Sequence, residues 1–152
     1  METEFNKKRV AEITGLTERQ IQFYTENGIV TPEVDPGMGR GKRRLYSHDN
    51  LFQFSIIKEL TSFGIPISKL KFIFDLLETR TLYRECQKII ESDPELQVFV
   101  KVFYSDVFDK FSVTYLSLRD SDIVLKVSEM KHITNCFVIN LREIYFSLKR
   151  HF

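Results

Sequence analysis

The sequence predicts an α+β chain: helices in its first half, then a small antiparallel sheet with helices. Three observations carry this. Residues 6–28 hold two short amphipathic segments interrupted by Gly15. Residues 29–46 have β-prone ends around a glycine-rich, cation-rich centre, and Ser47 then opens an apolar-periodic helix. Phe111–Leu118 and Asp122–Glu129 are β-prone runs joined by Arg119-Asp120-Ser121-Asp122, which is a hairpin pattern.

The first helix spans about Lys7–Thr14, with Asn6 as its cap and Val10, Ala11 and Ile13 or Thr14 inward. Gly15 ends it, because a residue without Cβ turns the chain at little cost. Leu16 fills the angle between the helices. Thr17-Glu18-Arg19-Gln20 is a capping box, in which the Thr17 hydroxyl accepts from the Gln20 N–H and Gln20 reaches back. The second helix runs about Glu18–Asn27, with Ile21 and Tyr24 inward, and Gly28 stops it. Two such helices about a glycine turn are a helix-turn-helix, whose second helix reads the major groove. Thr31-Pro32 ends any continuation, and Pro36-Gly37-Met38-Gly39 makes the tip of a wing. Four of the five residues from Arg40 to Arg44 are cationic.

The third helix runs from Ser47 to about Phe63, with Leu51, Phe54, Ile57 and Leu60 on its core face. Asp49 in its first turn suits the helix dipole. Gly64 stops it, and Pro66 opens a fourth helix to about Glu78 that buries Leu70, Ile73 and Leu77. A fifth helix over Leu82–Glu91 turns Leu82, Cys86, Ile89 and Ile90 inward. Asp93-Pro94-Glu95 is a helix start, and Leu96, Phe99, Val100, Phe103 and Val107 fit a sixth, although Val98–Tyr104 is also β-prone. Ile133–Ile139 is a third strand. Asn140-Leu141-Arg142-Glu143 starts the last helix, with Leu141, Ile144, Tyr145 and Leu148 buried.

Residues 6–77 resemble the winged-helix DNA-binding domain of MerR-family transcription regulators. The resemblance rests on Val-Ala-Glu-Ile-Thr-Gly-Leu-Thr, on Ile21 with Phe23-Tyr24, and on Asn27-Gly28-Ile29-Val30-Thr31-Pro32. It continues through Arg44-Leu45-Tyr46-Ser47 and Leu60, Phe63-Gly64-Ile65 and Leu70. The second half carries no comparable match. The resemblance implies a homodimer whose two wings and recognition helices engage a pseudo-palindromic operator in double-stranded DNA, distorting it to change promoter geometry. RNA polymerase at that promoter would be a further partner. Gly64–Ile67 would be a second wing-like contact. Family members dimerise through a long helix after the DNA-binding domain, and Ser92-Asp93-Pro94 breaks that helix here. The expected division is therefore a DNA-binding domain at 1–78 and a dimerisation or effector-sensing region at 79–152.

Composition limits the rest. Net charge is +1, and residues 1–78 hold eleven Lys/Arg against eleven Asp/Glu, a balance of zero. DNA affinity must then come from where the charges sit. Cys86 and Cys136 lie far apart without a CxxC or Cys–His cluster, which fits a reducing cytosol. Thiolate metal binding needs converging soft ligands, so both are read as small apolar residues, and no metal or other cofactor is expected. The acidic start is no signal peptide, and no apolar run reaches the roughly 20 residues of a membrane span. No nucleophile elbow, P-loop or paired-carboxylate signature points to an enzyme.

DNA recognition divides into phosphate contacts that position and base contacts that specify. Arg40, Lys42, Arg43 and Arg44 on the wing are assigned to phosphate, with the Tyr46 hydroxyl as a further donor. Thr17, Arg19, Gln20 and Gln22 on the exposed start of the second helix are assigned to bases, Arg suiting guanine and Gln adenine. Gln20 serves equally as a cap. The family pattern has Arg before two aromatics; here Gln22 replaces it, and Phe23 lacks a hydroxyl. Tyr24 either packs on the first helix or reaches the DNA backbone. The many aromatics after residue 79 either build core and dimer interface or line an effector pocket. The function expected is sequence-specific transcription regulation. Two alternatives remain: an architectural or excisionase-like DNA binder without ligand sensing, and a protein-interaction module on the same fold.

Overall fold

The computed structural model describes residues 3–37, 43–77, 82–105, 110–118 and 135–152. The wing residues Arg40 and Lys42, the boundary at Glu78, the turn at 119–122 and the expected strand Asp122–Glu129 lie outside them.

In chain order the elements are β1 (Phe5–Asn6), α1 (Lys7–Thr14), α2 (Glu18–Glu26), β2 (Leu45–Tyr46), α3 (His48–Ser62) and α4 (Ile67–Leu77). There follow α5 (Leu82–Ser92), β3 (Gln97–Ser105), β4 (Lys110–Leu118), β5 (Asn135–Asn140) and α6 (Leu141–Lys149). The chain is thus α+β as expected, with two small antiparallel sheets.

Local chemistry sets the helix ends. Asn6 accepts the Arg9 N–H and caps α1. Gly15, at φ +72°, ends it in the left-handed region, where Cβ is costly. The Thr14 hydroxyl donates to the Val10 carbonyl and accepts from the Leu16 N–H, which holds the turn. Both halves of the α2 capping box form: the Gln20 N–H donates to Thr17 Oγ1 at 3.2 Å, and the Thr17 N–H donates to Gln20 Oε1 at 2.9 Å. Ser47 and Asn50 repeat the device at α3.

α3 is the central helix. Its expected core residues Leu51, Phe54, Ile57 and Leu60 are buried, and so are Phe52 and Ile56 on its other side. That second face is covered by α5, α6 and β5, so the helix is apolar nearly all round. Its buried polar residues are bonded. Asn50 Nδ2 donates to the Thr31 carbonyl and to Gln53 Oε1, while its Oδ1 accepts the Glu33 and Ser47 N–H groups. Asp49 Oδ1 accepts the Tyr83 N–H at 3.1 Å, and its Oδ2 accepts Arg84 Nε at 2.9 Å. The first turn of α3 therefore anchors both the chain entering the wing and the start of α5.

The sixth helix expected after Asp93 is replaced by β3. Here Asp93 accepts the Glu95 N–H in a local turn and starts no helix. β3 is the middle strand of the order β4-β3-β5. Val98, Val100 and Val102 alternate into the core, while Phe99 and Phe103 lie on the other face. The helical spacing of Leu96, Phe99, Val100 and Phe103 arises because apolar residues occupy both faces of a strand. Pairing with β4 and β5 decides the outcome, as it does for β-branched runs. The strand at Phe111–Leu118, the strand ending near Ile139 and the last helix stand where the sequence places them.

The core is continuous. Tyr145 of α6 packs on Tyr83 with centroids 5.3 Å apart, and Phe152 packs on both Phe5 and His48. Leu82, Cys86 and Ile90 of α5 are buried in the same cluster as α1 to α4.

Candidate nucleic-acid interface

The turn before α2 sets the interface. With Ile21 and Tyr24 locked inside, α2 presents Thr17, Arg19, Gln20, Gln22 and Phe23 to solvent. An α-helix with its side chains is about 10–12 Å across, which a major groove about 12 Å wide admits.

The exposed side chains are not equivalent. Thr17 and Gln20 are held by the capping box, so Gln20 has the structural role that its position in the sequence allows. Gln22 is held at both ends: its Oε1 accepts from Lys7 Nζ at 3.4 Å, and its Nε2 donates to Glu26 Oε1 at 2.8 Å. Arg19 is exposed on the first turn. Phe23 is 42% exposed and meets the Tyr24 ring edge-on. An aromatic without a hydroxyl, placed there, offers apolar contact, such as to a thymine methyl.

Tyr24 and Tyr46 lie in the core. The Tyr24 hydroxyl bonds the Thr61 side chain, and burial raises its pKa against that bond. Tyr46 is fully buried, its hydroxyl 3.1 Å from Thr25 Oγ1. Burial raises its pKa, while the Thr25 bond and the nearby Arg44 guanidinium lower it. Both hydroxyls face protein partners, and Tyr46 ties the base of the wing to α2.

The wing base is set by main-chain bonds between Asp35 and Leu45, at 2.9 and 3.2 Å, and by pairing of β2 with β1. Gly37, at φ +67°, turns the chain, with Asp35 Oδ1 accepting its N–H. Arg43 is exposed, and Arg44 lies 3.7 Å from Glu26 of α2. A cleft of about 580 Å³ opens between this wing base, α1 and α2, and Lys7, Lys8, Arg43 and Arg44 line it with Gln22 and Glu26. The structure thus joins Gln22, Arg43 and Arg44 in one cleft over the buried Tyr46, with Arg19 and Gln20 on the same helix as Gln22.

Sequence reasoning passes over Lys7 and Lys8, although a signal for them exists. Two adjacent cations at a helix N-terminus oppose the helix dipole, at about 0.3–1 kcal/mol each. The structure puts both side chains on the lining of the cleft. Lys7 is also 3.4 Å from Glu18, and Glu26 lines the cleft, so acids temper its charge.

A family model described as MerR HTH family regulatory protein matches residues 6–77. The chain is similar to an uncharacterized HTH-type transcriptional regulator of Mycobacterium tuberculosis, 30% identical over 69 residues. That match covers 45% of this chain and 31% of the relative's length. It is similar to the HTH-type transcriptional regulator GlnR of Bacillus cereus, 28% identical over 116 residues, or 75% of this chain and 84% of that protein. It is also similar to the HTH-type transcriptional regulator CueR of Escherichia coli, 33% identical over 64 residues, covering 42% and 45% of the two chains. The matches to the first and third relatives stay near the helix-turn-helix region in length; only that to GlnR spans most of the chain.

Proposed function

Residues 6–77 are a MerR-family helix-turn-helix domain, and from that premise we propose that the chain is a sequence-specific transcription regulator of the cytoplasm. It binds a pseudo-palindromic operator as a homodimer, one half-site per copy. Arg43 and Arg44, with Lys7 and Lys8, neutralise phosphates on either side of α2 and fix its register. Arg19 and Gln22 read base edges, and Phe23 adds an apolar contact. Gln22 exchanges its bonds to Lys7 and Glu26 for bonds to a base, which frees Lys7 for phosphate. Arg40 and Lys42 extend the phosphate contacts along the wing. The dimer distorts the operator and presents the promoter to RNA polymerase in altered geometry.

One observation carries this reading: a capped helix with a solvent-facing polar start beside a cleft lined by four cations. Near-neutral net charge does not oppose it, because what matters is where charges sit, and four cations line this cleft. Selection of bound duplexes from a random pool, followed by affinity against salt, tests it. An inverted repeat with a steep salt slope is expected. Absence of binding at low salt would overturn the reading. Altered chemical reactivity of the DNA at the operator centre is the readout for distortion.

A further inference from the structure

We propose that the edge of β5 away from β3, unpaired among the described residues, is where a second copy of this chain docks, its own β5 adding antiparallel across a two-fold axis to make one continuous sheet. This rests on the dimer proposed above and supplies the surface that α5 cannot. α5 ends at Ser92, and its apolar residues Leu82, Cys86 and Ile90 are buried within their own copy. The dimer contact must then lie elsewhere.

β5 pairs with β3 along one edge, and no strand among the described residues pairs along the other. An unpaired edge is a template for another chain, and proteins that keep such an edge apart place Lys, Pro or a bulge on it. β5 has none of these: it reads Asn-Cys-Phe-Val-Ile-Asn, without a charge. Val138 stands 43% exposed on it. Beside it Phe63, at the end of α3, is 60% exposed, its ring 6.0 Å from Phe137. A groove of about 510 Å³ runs along this edge. An added strand would cover both Val138 and Phe63.

Self-complementarity identifies the occupant as a second copy. The strand is uncharged, and the groove rim carries both signs, Lys58 and Arg150 with Glu59 and Glu143. A two-fold copy brings the same set in reverse order, so opposite charges can meet. A two-fold normal to the sheet pairs residues of like parity. Centred on Val138, it sets Val138 against its own copy, Phe137 against Ile139 and Cys136 against Asn140. Phe137 and Ile139 then remain on the inner face, as they are in one copy.

Sedimentation of the full chain without DNA tests the interface. Dimer is expected for the wild type, and Val138→Lys, which puts like charges opposite one another, should raise the dimer dissociation constant about tenfold or more. Val138→Cys in a Cys136→Ser background should cross-link between copies on mild oxidation, since opposed residues lie about 4.5–5.5 Å apart at Cα, within disulfide reach. A wild type that is monomeric at tens of micromolar, or a Val138→Lys protein that dimerises unchanged while Val138→Cys fails to cross-link, overturns the interface. Half-site binding separates the two readings: Val138→Lys should keep salt-sensitive binding to a single half-site and lose the gain from the second. Loss of half-site binding by the folded wild type would instead overturn the DNA-binding reading itself.

Discussion

At the scale of single residues, the proposed roles of Arg44 and Arg19 separate the two kinds of DNA contact. Arg44 lies on the wing base within reach of Glu26, so it is positioned before DNA arrives. Arg44→Ala should weaken binding to all sequences and make the salt slope shallower by about 0.9 for each phosphate that is no longer neutralised. Unchanged affinity and slope would remove Arg44 from the interface. Arg19→Ala should instead relax preference at one base pair, by about 1–3 kcal/mol, in competition against point-mutated operators. Away from the DNA face, burial pushes the Cys86 thiol up to about 12 from 9.0, with Glu85 adding to it. Tyr83 is likewise pushed to about 12 from 10.0, by burial first and then by Tyr145, Asp49 and Glu91. Both groups favour the neutral form in the folded state. Stability is therefore whole below about pH 9 and falls as pH rises toward 12, because the unfolded chain releases these protons first. Urea midpoints at pH 7, 9 and 10 should decline in that order, and Cys86 should resist thiol reagents in native protein at pH 8.

At the scale of elements, capping chemistry makes the first helices legible. Asn6, Thr17 and Ser47 each sit at the boundary their side chains specify, and Gly15 turns the chain where its φ of +72° requires it. Gly15→Ala should lower stability by about 1–2 kcal/mol, the cost of a Cβ in the left-handed region. Lys58 Nζ, 2.8 Å from where that Cβ would stand, is the mobile end of a long side chain and can move aside. Asp49 reads locally as a first-turn acid suited to the helix dipole, yet it is buried and also holds α5 through Tyr83 and Arg84. This second role is invisible in the sequence because its partners lie 34 and 35 residues away. Asp49→Ala should cost about 1–3 kcal/mol by leaving the Tyr83 N–H unpaired and a gap in the core. Exposed Arg84 can rehydrate and adds little. Chemical denaturation checks both values. β3 escapes sequence reasoning for a related reason: its local spacing is ambiguous, and strands distant in sequence settle it. Of the candidate site, the cation run at Arg43 and Arg44 and the exposed start of α2 are legible as patterns. The inward aim of the Tyr24 and Tyr46 hydroxyls depends on Thr61 and Thr25, which no local pattern couples to them.

At the scale of the whole molecule, the chain folds as two regions on one shared core, which is the form we propose for the boundary near residue 78. α3 lies within the stretch matched by the MerR HTH family model, yet its second face is covered by α5, α6 and β5, and each large apolar side chain buried there contributes about 1.5–3 kcal/mol. The aromatic contacts of Tyr83 with His48 and Phe52, and of Phe152 with Phe5 and His48, cross between the regions, as does the bond from Arg9 to the His151 carbonyl. Neither region keeps its apolar surface covered without the other. The full chain should therefore unfold in one transition, with far-ultraviolet dichroism and tyrosine fluorescence giving the same urea midpoint. A fragment ending at Leu77 would expose Phe52 and Ile56, and should be less stable and aggregate more readily than the full chain. Two separated transitions, or a fragment as stable as the full chain, would mean that the shared core contributes little. Under a shared core, any change in the second region that alters its packing on α3 also acts on the turn that holds the wing. DNA affinity and stability of the second region should then vary together across core substitutions in α5 and α6, and paired melting and binding measurements on such variants would show it.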